Sequence, residues 1–183
     1  MQTFLPFSSF EISAQCLDRQ RLGKQRVECM QLLNAIINPT VKGWVNHPCT
    51  KMWRATPSAL LSYTITVCQE WVRRGYKDTV EQKVLDMAAN SPNAFSDLDS
   101  IQRNIVGSQV IHQHGMDTIL MVGPVVTQVR YSVDPWWLGD ESFHLSHQSN
   151  LVRKNPGHYR TLFSDVPDSL PYRWPQIDGT FSP

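Results

Sequence analysis

Apolar residues recur at helical spacing in two long stretches of the chain. From Leu17 to about Ile37, placed at 100° per residue, Leu22, Cys29, Leu33 and Ile36 fall on one face. The pattern predicts a first long helix with Ser13 as its N-cap, ending near Asn38-Pro39. Thr56-Pro57 opens a second helix, with proline at the first helical position. Its stripe is Leu60, Thr64, Val67, Cys68 and Trp71, and Gly75 closes it. Residues 78–90 predict a shorter helix. A further long one starts at Gly139-Asp140-Glu141, whose acids suit a helix N-terminus, and stops before Pro156. The texture changes between Ser91 and Pro135. There Ile119–Val122 and Val125–Tyr131 read as two strands about a Gly123-Pro124 turn.

The ends of the chain break these periodicities. Residues 1–10 are apolar and aromatic where a loose terminus is more often polar. Phe4, Leu5, Phe7 and Phe10 are therefore expected to pin the first residues onto the core and fix the α-amine in space. The tail from Tyr159 to Pro183 is rich in proline and aromatic residues and reads as an irregular wrap. A chain of 183 residues supports one sizeable core rather than two independent domains.

Charge changes the picture. The formal net charge is only +1, but residues 1–77 hold ten Lys and Arg against four acids, and the remainder holds seven against twelve. Such segregation fits one surface meeting a polyanion, or chance clustering on solvated faces. On the first helix Arg21, Lys24, Gln25 and Glu28 share a face at spacings of three and four, so one carboxylate sits on a basic stripe. The loop Gly43–Pro48 and the run Lys51-Met52-Trp53-Arg54 interleave aromatic and basic residues, which suits phosphate grip and base stacking; Trp44 and Trp53 are equally readable as core. Arg73 and Arg74 sit where a helix C-terminus favours cations, with no ligand required.

Other chemistries find less support. Cys16, Cys29, Cys49 and Cys68 are too far apart for a CxxC motif, and Cys29 and Cys68 lie on apolar faces. His112 and His114 precede the strand pair, and His144 and His147 stand three apart on one helical face. Neither pair has further ligands at a recognisable spacing, so phosphate or base contacts, or plain hydrogen bonding, are the readings kept for His144 and His147. Phosphate-loop, GxGxxG and GxSxG motifs do not occur. With neither a secretory signal nor a membrane-spanning run in view, the expectation is a reduced, intracellular, cytoplasmic protein.

Three blocks in order resemble the pyrimidine-dimer DNA glycosylases of the pyrimidine-dimer-specific endonuclease V type. The first is Leu17-Asp18-Arg19-Gln20-Arg21-Leu22 with Glu28. The second is Asn46-His47-Pro48, Lys51-Met52-Trp53 and Glu70-Trp71-Val72-Arg73-Arg74-Gly75-Tyr76. The third runs from His144 to Tyr159. The resemblance implies a mainly α, compact single-domain helical fold over residues 1–183, with a small β-hairpin-like insertion at about 96–134. Two departures accompany it: Val27 stands where the best-known members carry Arg, and a longer interval from Met1 to Glu28 calls for an extra loop at Ser8–Ala14.

The resemblance also implies an activity. The N-terminal amine, here on Met1 because the bulk of Gln2 discourages methionine removal, would be the nucleophile, and Glu28 the second essential group. An α-amine titrates near 7.7–8.0 against about 10.4 for lysine, so a useful neutral fraction exists at cellular pH. Attack on C1′ would displace a damaged pyrimidine base through an imine, and β-elimination would cut the strand. Arg21, Lys24, Gln25, Arg26, His47, Lys51, Trp53, Arg54, His144, His147, Arg153 and Lys154 form the expected DNA-facing set. The partner is double-stranded DNA with damaged or modified bases; no cofactor, metal or membrane is implied. The alternatives are a glycosylase for another modified base, a non-catalytic DNA-binding module of the same fold, and, last, a metal-dependent nuclease using the histidines.

Overall fold

A computed structural model of the chain describes residues 1–38, 40–105, 109–113, 116–120 and 124–182, the side chains of 102–128 being left aside. The fold is mainly α with a small β insertion. Helices α1 (Phe10–Cys16), α2 (Arg19–Ile37), α3 (Pro48–Trp53), α4 (Pro57–Arg73) and α5 (Glu81–Asn90) come first. A single 3-10 turn at Pro92–Phe95 leads into strands β1 (Leu98–Ile105), β2 (Gln109–Gln113), β3 (Met116–Leu120) and β4 (Pro124–Tyr131). Helices α6 (Glu141–Lys154) and α7 (Pro156–Tyr159) and the short strands β5 (Trp174–Pro175) and β6 (Phe181–Ser182) complete the order.

The expected first helix is two helices. Ser9 caps α1 by accepting from the Ile12 N–H, and Asp18 caps α2 by accepting from the Arg21 N–H. Ser13 is inside α1, where its hydroxyl bonds both the N–H and the carbonyl of Phe7. The extra loop expected at Ser8–Ala14 is thus largely helix α1. Side-chain oxygens at Ser9 and Asp18 satisfy the otherwise orphaned amides at both helix starts, which is why the chain breaks at Leu17-Asp18.

Helix α4 is the centre of the molecule. It packs against α1, α2, α3, α5 and β4, and it is buried on nearly every side, from Pro57 through Leu60, Tyr63, Ile65 and Cys68 to Glu70. Trp53 stacks on Tyr63 at 6.1 Å and meets Trp137 edge-on at 4.8 Å. Gly23 lets α2 approach α4 closely, because a Cβ there would lie 3.0 Å from the Trp71 ring. Arg74 ties α4 to α1: it pairs with Glu70 and donates to the carbonyls of Ala14, Gln15 and Leu17 at the end of α1, where the helix leaves acceptors unfilled.

The β region corrects the expected hairpin. The strands lie near their expected places, but β4 pairs antiparallel with β1, and β3 with β2. A β2–β3 hairpin is therefore nested in sequence between β1 and β4. The β1–β4 pair carries a register irregularity between Gln102 and Arg103. Gly123 and His114 lie outside the described residues. The tail is not wholly irregular, since β5 and β6 pair antiparallel and β5 lies on α3.

Candidate active site

The first residues of the chain are threaded into the core, with Gln2, Thr3, Phe4 and Leu5 buried, and side chains satisfy their backbone groups. The Gln2 N–H donates to Glu28 Oε2 at 3.2 Å, and the Gln2 carbonyl accepts from Gln25 Nε2 at 2.8 Å. The Phe4 N–H donates to Gln25 Oε1, and its carbonyl accepts from the Tyr63 hydroxyl. The Leu5 N–H donates to His147 Nδ1, and its carbonyl accepts from His144 Nδ1 at 2.8 Å. Gln148 Nε2 reaches the Pro6 carbonyl, and Trp53 Nε1 donates to the Thr3 hydroxyl. Buried peptide groups cannot remain unpaired; here helices α2, α4 and α6 supply the partners that a neighbouring strand would otherwise provide.

This clamp fixes the N-terminal amine. The Met1 nitrogen lies 4.0 Å from Glu28 Oε1, and Lys24 Nζ lies 3.5 Å from the same oxygen. The carboxylate thus receives a backbone N–H on one oxygen and faces two ammonium groups on the other. The three meet in a cleft of about 280 Å³ lined by Met1, Gln2, Phe4, Gln20, Arg21, Lys24, Glu28, Lys154 and Tyr172. Arg21, Lys24 and Lys154 make its wall basic. Burial, then the charges of Arg21, Arg153 and Lys24, push the Lys154 ammonium below its ordinary range. Arg21 is also held in place by its Asp18 ion pair and by packing on the Tyr159 ring at 5.6 Å. Asp18 itself titrates below the usual carboxylate range: burial opposes this, but hydrogen bonds from Arg21 outweigh it.

The expected DNA-facing residues divide into two groups. Lys24, Lys51, Arg54, Arg153 and Lys154 are exposed, and Arg21 and His47 are half-buried. Arg54 donates to the Val45 carbonyl and so braces the loop before α3. His47 caps α3 by accepting from the Cys49 N–H. Its titration is lowered by burial, then by repulsion from the N-terminal amine, so the ring is an electrostatic neighbour of the site. Trp44 packs edge-on against His47, half-exposed and with a positive φ of 64°.

The other group is internal. Gln25, Trp53, His144 and His147 are buried, and the N-terminal segment occupies the polar atoms described above. They hold the amine in place and offer no surface to DNA. Arg26 points away from the cleft, paired with Asp78 and laid over the Trp71 ring at 4.3 Å. His144 uses both ring nitrogens, the second accepting from the Gly139 N–H at 3.0 Å. Burial brings the His147 titration down to about 3, so its ring is neutral. The side chain of His112 is not described, and among the described residues no cluster of three or more His, Cys, Asp or Glu side chains could hold a metal ion. No helix among the described residues is long and apolar enough to cross a membrane.

Gln2, Gln20 and Tyr172 enter the cleft without having been picked out as site residues. Gln20 lies in the first resembling block, one residue before Arg21. Tyr172 carries no signal at all, because it comes from the aromatic tail and reaches the cleft only through the fold.

Residues 1–84 match the family described as pyrimidine dimer DNA glycosylase. The matched stretch holds Met1, Glu28 and the first two resembling blocks; the β region and the block from His144 to Tyr159 lie beyond it. No curated protein and no solved structure matches the chain.

Proposed function

We propose, with residues 1–84 of the pyrimidine dimer DNA glycosylase family as premise, that the protein excises damaged pyrimidines from double-stranded DNA and cuts the resulting abasic site. The observation that carries this reading is the Met1 amine held 4.0 Å from the Glu28 carboxylate in a basic cleft. The lone pair of the neutral amine forms a bond to C1′ as the C1′–base bond breaks. The base leaves with the electron pair and takes up a proton. Ring opening then breaks C1′–O4′, O4′ gains a proton, and a protonated imine joins Met1 to the sugar. The imine acidifies the C2′ hydrogen; its loss expels the 3′ phosphate oxygen with the C3′–O electrons and cuts the strand.

Each nearby group has a part in that sequence. Glu28 stabilises the developing positive sugar and relays protons, and its Gln2 N–H contact fixes which oxygen faces the reacting carbon. Arg21, Lys24 and Lys154 hold the flanking phosphates. The half-exposed Trp44 indole, braced on His47, is suited to fill the space that an extruded nucleotide leaves in the stack. The whole of residues 1–183 acts as one domain, with the β region as an insertion in it.

Borohydride trapping of protein without any N-terminal addition tests the reading. A covalent adduct is expected on dimer-containing and abasic duplexes, mapping to the Met1 peptide. Glu28→Gln is expected to slow strand cutting by ~10²-fold or more, and one residue added before Met1 to abolish the adduct. An adduct that maps to Lys154, whose titration is lowered, would overturn the choice of nucleophile. Salt-sensitive binding without any adduct on a broad lesion panel would instead favour a DNA-binding module, and release of a non-dimer base would favour a different lesion.

A further inference from the structure

Met1 divides its own atoms between the core and the cleft. The residue as a whole is half-buried and lines the cleft. Its side chain is only 2% exposed and packs against the hydrophobic core. What Met1 shows to solvent is therefore its backbone end, which carries the α-amine. A chain terminus is ordinarily among the first parts of a protein to fray. Here the terminal side chain is seated inside, ahead of a buried run from Gln2 to Leu5. Methionine suits such a seat, because its unbranched thioether fills irregular space.

The hydrogen bonds of Gln2 do not by themselves aim the amine. Its N–H, bonded to Glu28 Oε2, holds the plane of the first peptide, and its carbonyl, bonded to Gln25, holds the plane of the second. One torsion remains between the first plane and the amine, ψ of Met1. Rotation about that Cα–C bond breaks neither hydrogen bond, yet it can carry the nitrogen through an arc about 2.7 Å across. The carboxylate does not stop it either. The 4.0 Å from the amine to Glu28 Oε1 exceeds hydrogen-bond length, and Lys24 Nζ lies nearer the same oxygen, at 3.5 Å. Amine and side chain share one Cα, so ψ moves both together. A side chain lodged in the core therefore blocks the rotation and leaves the amine facing Glu28. A misplacement of about 1 Å can cost about 10²-fold in rate, so the arc is wide enough to matter.

We propose that the Met1 side chain is the positioning device for its own amine: an apolar anchor in the core sets ψ of residue 1 and with it the direction of the nucleophile. This rests on the reading above in which that amine reacts. It makes the side chain of residue 1 part of the site, where any residue could have supplied a terminal amine.

An abasic duplex isolates the step, because the amine then acts with no base to displace. Each protein is released from an N-terminal fusion by cleavage directly before residue 1, so every variant carries a free α-amine and no added residue. Wild type, Met1→Leu, Met1→Val and Met1→Ala are compared by borohydride trapping in single turnovers at saturating DNA, and duplex affinity is measured separately. Met1→Ala is expected to trap about tenfold or more slowly, with a dissociation constant within about twofold of wild type. Met1→Leu, which refills the seat, is expected to recover most of the rate. Thermal melting verifies that each variant is folded, and Met1→Val, a smaller truncation, carries the comparison if Met1→Ala is not. A folded truncation that traps at the wild-type rate overturns the inference. So does a loss of affinity that accounts for the loss of rate, or a Met1→Leu rate as low as that of the truncation. Wild-type protein that forms no adduct overturns the reaction itself, and this inference with it.

Discussion

His147 shows how a residue of apparent chemistry serves position instead. Its spacing from His144 puts both rings on one face of α6, and that face turns inward to receive the backbone of Leu5. No spacing rule separates a histidine that meets DNA from one that meets a buried stretch of backbone. The difference is measurable through pH. Burial leaves the folded His147 titrating at about 3, against about 6.5 when unfolded. Between those values the unfolded chain binds the extra proton, so stability rises with pH and is lost as pH falls from about 6.5 towards 3. His47 and His144 are shifted in the same direction. Urea midpoints should show His147 accounting for about 2–3 kcal/mol of loss between pH 7 and pH 4.5. His147→Gln, which keeps an acceptor for the Leu5 N–H, should flatten that dependence even if it lowers stability at pH 7. An unflattened curve would mean that the ring is not held neutral. Gln25 teaches the same lesson on α2, where it shares a helical face with Lys24 and Glu28 yet turns inward to bind Gln2 and Phe4.

At the scale of elements, Arg74 does more than neutralise the end of its own helix. It is one of two arginines on the buried Glu70 carboxylate, and its guanidinium closes the C-terminus of α1. Burial alone would raise the Glu70 titration, but hydrogen bonds from Arg73 and Arg74 bring it below the usual range. Arg74→Ala strands carbonyls at the end of α1 and removes one of the three arginine hydrogen bonds to that carboxylate. The expected cost is about 2–3 kcal/mol, read by calorimetry as a melting point lower by roughly 5–10 °C for a chain of this size. A drop under 2 °C would show that α1 does not depend on the contact. Helices α2 and α4 were legible from their apolar periodicity and the proline or glycine at their ends, and α6 from its acidic start and the proline that follows it. The α1–α2 break was not, because Ser9, Ser13 and Asp18 are all competent caps and the apolar pattern continues across Leu17. The strand partners were missed because neighbours in sequence pair by default, whereas β4 returns to β1 across a nested hairpin.

Over the whole molecule, the basic residues of the N-terminal part become a surface only when α6 joins them. Arg21 and Lys24 come from α2, Lys154 from the end of α6, and all three line one cleft. The charge segregation in the sequence pointed to that surface, but five of the twelve individual residues expected on it are core or turned elsewhere. The distinction predicts salt dependence. The slope of log K against log salt for duplex binding should shrink by about 0.9 for each of Lys51→Ala and Lys154→Ala, and should be unaffected by Arg26→Gln. A slope altered by Arg26→Gln would put DNA on the opposite face, near Asp78.

The clamp on the first seven residues sets an order in time. Its partners are spread from Ser13 to Gln148, so the clamp closes only when distant parts of the chain have come together. A nascent or partly unfolded chain carries an ordinary, unoriented amine with no carboxylate beside it. On the reading proposed above, competence to cut DNA then belongs to the assembled clamp alone, in which the amine and the surface that chooses its target exist together.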